Sequence, residues 1–212
     1  MIPTILHRHD GLVAVDKPAG WLVHPAAASD APSLTAWLLD THGIDAAPAH
    51  RLDLSTSGVV VFGEHPAVVE AMRARFVAGD VVKRYVTLVV GRTRRKGTIQ
   101  RRLKDARRGR PLDAKTTYRL MEWLDTCSLL SVRPRTGRKH QIRRHLQGLG
   151  HAIVGDDRYR PRRPVDVGDA PDRLWLHASR LSWPDGPDLH APLSADLQAH
   201  RDQLAAREAA RG

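Results

Sequence analysis

His50-Arg-Leu-Asp-Leu-Ser-Thr-Ser-Gly58 runs directly into Val59-Val-Val-Phe62, and that junction decides how the chain reads. Val59 to Phe62 is an apolar, β-branched run bounded by turn residues, so it reads as a strand, Gly58 to Phe62, with Asp53 at its mouth. Loops at strand ends are where sites are built. A partly buried carboxylate there needs a cation to stay ionised, which Arg51 or Arg138 can supply, and an ionised aspartate can act as a nucleophile. The same residues fit an Asx-turn or a cap bonded to the amides of Ser55 to Ser57 equally well.

Outward from this strand, short runs at Leu12 to Val15, Tyr85 to Val90, Lys115 to Leu120, Ser128 to Val132 and Leu174 to Leu181 have the same character, and their spacing predicts an antiparallel sheet. Helical patterns lie between them. Ser33 can cap Leu34 to Asp40, and Val69, Met72 and Phe76 share one face of a helix that Gly79 can end. Arg138 to Leu149 places Ile142, Leu146 and Leu149 on an inward stripe before Gly150, leaving Arg143, Arg144 and His145 as a basic face suited to RNA or to solvent. A last amphipathic stretch after Ser194 carries Leu197 and Leu204, with a tail expected to fray. Helices packed on such a sheet make an α+β protein.

A formal charge of +11 over 212 residues favours a polyanionic partner, because such a field concentrates phosphates. Arg92 to Arg110 holds ten Lys or Arg against one acid, Asp105, and reads as a basic loop or exposed hairpin. Pro161 to Pro171 reads as a mobile polar loop. Cys127 is the only cysteine, which excludes an intrachain disulfide and a multi-thiolate zinc site and fits a reducing, cytoplasmic setting. No segment resembles a signal peptide or approaches the roughly 20 apolar residues of a membrane span. The twelve histidines show no metal-ligand spacing, and no Gly-rich phosphate loop precedes a helix, so neither metal, ATP nor NAD is indicated.

Three further groups stand at the edges of apolar runs: Lys17-Pro-Ala-Gly20 with His24, Lys83-Arg-Tyr85, and Arg135-Thr-Gly-Arg138 with His140-Gln141. The turn before Gln141 offers amides to a phosphate or carboxylate. Tyr85 is either a core ring or a platform for an unstacked base.

In this order, the four segments resemble the RluA family of pseudouridine synthases: KPAGWLVHP from Lys17, HRLDLSTSG from His50, KRYVTLVVG from Lys83 and RTGRKHQIRRHLQGLGHAIVGDDRY from Arg135, with LWLHASRLSW closing the match. The resemblance runs from Leu12 to Trp183 and is closest to the TruC-like branch that acts on tRNA. It implies a mixed, mainly antiparallel central sheet with flanking helices, two α+β halves sharing one sheet around a central cleft. It also implies one catalytic domain over 1–212 with no separate N-terminal RNA-binding domain. It makes Asp53 the nucleophile toward a flipped uridine, Tyr85 the stacking residue and Arg138 the cation that keeps Asp53 ionised. Arg51, His50, Ile142, Lys83 and Arg144 become substrate contacts. The partner implied is RNA, tRNA before ribosomal RNA, bound by a monomer without metal or cofactor; a catalytically idle RNA-binding factor is the alternative. Leu54 and Arg160 depart from the family pattern, where Arg and Gly are common.

Overall fold

A computed structural model describes residues 1–27, 29–104 and 109–210. In chain order the elements are β1 (Thr4–His9), β2 (Leu12–Lys17), α1 (Leu34–His42), β3 (Ala47–Pro48), β4 (Ser57–Gly63), α2 (Pro66–Ala78), β5 (Val82–Val90) and β6 (Lys96–Gln100). There follow β7 (Leu103–Lys104), β8 (Pro111–Leu112), β9 (Lys115–Leu124), β10 (Cys127–Pro134), α3 (Gln141–Gly148), β11 (Leu176–Ser182), β12 (Leu189–His190) and α4 (Ala195–Ala209). They form two compact units, Met1–Lys83 with Ala178–Pro192 and Arg84–His177 with Leu193–Gly212.

In the first unit the strands run β1-β2-β4-β11, with β3 also on β4 and β12 on β11. The antiparallel register of β2 on β4 pairs Lys17 with Gly58, which brings the loop after β2 beside the segment before β4. Every residue of β4 is buried, as expected of a central strand covered on both faces. The first helix starts after Ser33 as expected and runs two residues past Asp40, to His42, and the second stops at Gly79 as expected. The Ser33 hydroxyl accepts from the Ala36 amide, and Gly43 and Gly79 close α1 and α2 in left-handed conformations. Met72 packs against Val59, Val61 and Leu181, with Phe76 at the margin of that cluster.

In the second unit the order is β5-β10-β9-β6. Ile142 and Leu146 of α3 and Leu197 and Leu204 of α4 join Leu88, Leu130 and Trp175 in one core. Each such side chain taken from water contributes about 1.5–3 kcal/mol. Trp175 donates its indole N–H to His200 Nδ1, whose Nε2 in turn meets the Val167 carbonyl.

Several expectations change here. The basic stretch after Gly91 is not all loop: β6 pairs antiparallel with β9, and β7 pairs with β8 as a short hairpin whose residues 105–108, Asp105 among them, lie outside those described. Pro161 to Pro171 has no regular structure, but Val165, Val167 and Ala170 pack on the core, which anchors the segment. Leu149 is 47% exposed because α3 has already ended at Gly148, so the inward stripe stops at Leu146. The tail holds its helix through Ala209.

Candidate active site

Asp53 is half-buried on the loop that enters β4. The loop closes through the backbone: the Thr56 amide donates to the Asp53 carbonyl at 3.0 Å. One residue on, the Leu54 carbonyl accepts from the Gly20 amide at 2.9 Å and from Lys17 Nζ at 3.1 Å. Lys17 is fully buried and also donates to the carbonyls of Pro18 and Trp21. A buried ammonium is tolerated only where oxygens replace its water, so Lys17 fastens the Lys17–Gly20 loop to the aspartate loop. The tie uses the backbone of residue 54 and leaves its side chain exposed, which is why leucine stands there without disturbing the loop.

His50 turns out to be a strut of this loop. Its Nε2 accepts from the Val61 amide at 3.1 Å, the ring lies 4.7 Å from Phe76, and a hydrogen bond links the imidazole to the Arg51 backbone. Burial, reinforced by the Lys83 charge, pushes His50 down to about 3. The imidazole is therefore neutral and ties this loop to β4. Lys83 is half-buried with Nζ 5.6 Å from the Phe76 ring centre, and burial lowers its pKa. Arg51 is exposed.

A pH dependence follows from His50. The group binds a proton in the unfolded chain below its ordinary value near 6.5 but not in the folded chain until about 3, so stability falls as pH drops through that window. From pH 7 to pH 5 the loss is about 2 kcal/mol. Urea unfolding at both pH values should show it in the wild type and largely not in His50→Asn; equal pH dependence in the two proteins would contradict the assignment.

In the second unit, Tyr85 pairs with Val132 across β5 and β10 and is half-buried against the cluster that contains Ile142. Arg138 precedes α3, and its Nε donates to the Asp113 carbonyl at 3.1 Å. Its amide is held by the buried Gln141, whose Oε1 accepts from Arg138 N at 3.1 Å and from the Thr136 hydroxyl at 2.6 Å. The other end of that side chain donates to the Lys115 carbonyl and to Thr116 Oγ1, both at 3.0 Å. Thr116 then meets His145 Nδ1, and His145 Nε2 meets the Arg101 carbonyl, so an ordered hydrogen-bond chain runs from the arginine turn to the basic arm. Arg144 is half-buried, with Nη1 on the Lys104 carbonyl.

The basic helix face expected at Arg143, Arg144 and His145 is thereby reduced to Arg144. His145 is inside, and burial lowers its pKa. Arg143 is 5% exposed and grips Asp156 with two hydrogen bonds of 2.8 and 2.7 Å. Burial alone would raise the Asp156 carboxyl, but the Arg143 fork and the amides of Tyr159 and Arg158 outweigh it and hold the pKa low. This pair fixes the loop after α3, where the Tyr159 hydroxyl reaches His140. The sequence hides the pairing because the partners stand thirteen positions apart. Arg143→Ala leaves a buried carboxylate alone and is expected to lower stability by about 3–5 kcal/mol in urea unfolding. The difference should be full above the ordinary aspartate range and shrink as pH falls through it; a change under about 1 kcal/mol would refute the buried-pair account.

The structure thus gathers His50, Asp53, Lys17 and Lys83 around the entry to β4 in the first unit, and in the second it places Tyr85 against the cluster that contains Ile142, with Arg138 on the turn before α3. Residues 11–148 match the family model described as RNA pseudouridylate synthase. The chain belongs to the RNA pseudouridylate synthase family. An uncharacterised RNA pseudouridine synthase of Chloroflexus aurantiacus is 38% identical over 89% of this chain and 65% of its own length. The tRNA pseudouridine synthase C of Haemophilus ducreyi is 34% identical over 84% of the chain and 83% of its own length. The ribosomal large subunit pseudouridine synthase D of Xanthomonas campestris is 39% identical over 73% of the chain and 51% of its own length. Among solved structures, human RNA pseudouridylate synthase domain containing 1 superposes with a TM-score of 0.78 at 24% identity, covering 100% of this chain and 95% of that one. The expected α+β fold of the RNA pseudouridylate synthases is borne out by that likeness. Among the described residues no helix is long and apolar enough to cross a membrane.

Proposed function

We propose that the protein isomerises specific uridines of structured RNA, with tRNA as substrate, to pseudouridine, and that Asp53 is the nucleophile. The observation that carries this reading is the HRLDLSTSG segment itself, held at the mouth of β4 by the buried Lys17 and the neutral His50 so that a carboxylate stands at a fixed strand end. For tRNA over ribosomal RNA, the support is that the match to tRNA pseudouridine synthase C spans 83% of that relative, against 51% for the ribosomal one.

A uracil in a stem has to leave the stack before any group can reach it, at a cost of a few kcal/mol set against phosphate contacts. Arg51, exposed beside the loop, fills the space the base vacates, while Lys83 and Arg144 meet phosphates. Asp53 then attacks the ribose anomeric carbon or carbon 6 of the ring, or the base leaves through a glycal with loss of the 2′ proton. The bond from carbon 1′ to N1 breaks, the bond to carbon 5 forms, N1 gains a proton and carbon 5 loses one to water. Electrons and atoms balance, so the reaction requires neither redox cofactor nor energy source. The roles of Tyr85 as the residue stacked on the base, of Ile142 behind it, and of Arg138 as the cation that keeps the nucleophile ionised rest on the motifs in which they stand. A cytoplasmic monomer is the form in which this reading places the enzyme.

The test is to incubate the protein with tRNA and, separately, ribosomal RNA tritiated at uracil carbon 5, with EDTA present, and to count tritium released to water. Release from tRNA supports the proposal. Release from ribosomal RNA alone would move the substrate, and binding without release from either would leave an idle RNA-binding factor.

A further inference from the structure

The second unit has a cavity of about 300 Å³ ringed by Gly91, Gln147, His151, Arg160, Arg162 and Arg163, none of which has been given a catalytic or substrate role above. We propose that it is a phosphodiester subsite, which holds the backbone of a nucleotide other than the target uridine; the proposal rests on the RNA reading of the preceding section.

Charge makes the first argument. Some arginines of this chain are forked onto carboxylates, as in Arg8 with Glu64, Arg180 with Asp188 and Arg143 with Asp156. Arg162 and Arg163 are exposed, and among the described residues neither has a hydrogen bond or ion pair; Arg160 uses only Nε, on the Asp157 carbonyl at 3.0 Å. No carboxylate lines the cavity. Three guanidiniums left unpaired around one concavity fit an anion presented from outside, and a guanidinium fork matches a phosphate.

The floor makes the second. His151 Nδ1 lies 2.9 Å from the Val90 carbonyl, so that nitrogen carries the proton and the tautomer is set. The ring can sit there because position 91 is glycine: a Cβ would come to 3.2 Å from His151 Nδ1, and φ is +82°. Position supplies the third. Val90 ends β5, whereas Tyr85 stands five residues earlier, a span of about 17 Å along a strand. An anion bound at this end therefore belongs to another nucleotide, and the enzyme needs RNA extending well beyond the flipped base. Arg160 is also a position at which this sequence leaves the family pattern, so the subsite is a feature of this chain's own choice of RNA.

The experiment compares wild type with Arg160→Gln/Arg162→Gln/Arg163→Gln on full-length tRNA, measuring tritium release and, independently of catalysis, RNA binding against salt concentration. The expected result is a KM raised about tenfold with kcat little changed, and a salt slope shallower by about 2 to 3, since each lost phosphate contact removes close to one unit. The matching triple lysine variant should recover most of the slope, and melting temperatures should agree closely, because the one bond these side chains make, from Arg160 to the Asp157 carbonyl, is exposed. An unchanged slope and KM would overturn the subsite while wild-type release kept the function intact. Weakened binding by a protein that releases no tritium at all would keep the subsite and sink the isomerase. Inorganic phosphate titrated into RNA-free protein and followed by the His151 ring resonances separates the sources: saturation below about 1 mM would mean a free-phosphate site and would also overturn the proposal.

Discussion

Asp53→Asn is expected to abolish tritium release while leaving RNA affinity within about threefold of wild type, because phosphate contacts supply most of that affinity. The amide has the size of the carboxylate and keeps the backbone hydrogen bond from Thr56 to the residue 53 carbonyl, so the loop has no reason to move. Lys17 still holds the Leu54 carbonyl and His50 still holds Val61. What disappears is the proposed nucleophile: a carboxamide oxygen carries no charge, and loss of a group that forms a covalent intermediate lowers rates by about 10⁴ or more. Single-turnover assays with enzyme in excess, alongside filter binding of the same RNA, read both quantities. Residual release within about tenfold of wild type would remove Asp53 from the chemistry.

Gly58→Ala should damage the fold severely. Gly58 has φ +110°, and a Cβ built there would lie 2.3 Å from the Ala178 carbonyl oxygen and 2.6 Å from its nitrogen. Both atoms belong to the backbone beside β4, which cannot swing aside as a side chain would. Strain and overpacking together are expected to lower stability by about 3 kcal/mol or more, visible as lost soluble yield or an early urea midpoint. Gly20 is the control: its φ is +83° but nothing stands within 4 Å, so Gly20→Ala should cost only the conformational penalty, about 1–2 kcal/mol. Equal effects at the two positions would show that close approach is not what requires glycine at 58.

Much of the frame was legible before any coordinates. The runs that became β2, β4, β5 and β10 are dense in Val and Leu, those that became β9 and β11 carry Thr, Tyr, Trp and Leu, and α1 and α2 announce themselves through Ser33 and Gly79. β1 escaped because its residues mix apolar and basic types and its pairing with β2 carries an irregularity between Ile5 and His7. β6 escaped because Ile99 is its single buried side chain, a pattern that charge reads as loop. At the candidate site, Asp53 could be weighed from residue type only as nucleophile or turn former, and the nine-residue motif decided between them. Arg143 and His145 were misplaced for one reason: their partners, Asp156 and Thr116, lie thirteen and twenty-nine positions away, beyond the reach of local periodicity.

The antiparallel pairing of β6 with β9 has a consequence for how the protein behaves in a tube. Lys96 stands directly opposite Arg119, so this outer strand is clamped onto its neighbour against like-charge repulsion at that pair. Dilute buffer magnifies that repulsion and added electrolyte damps it. The buffer in which the apoprotein keeps best is therefore a concentrated one, whereas the buffer in which it grips RNA most tightly is a dilute one, and a polyanion laid along the strand reconciles the two by doing locally what electrolyte does everywhere.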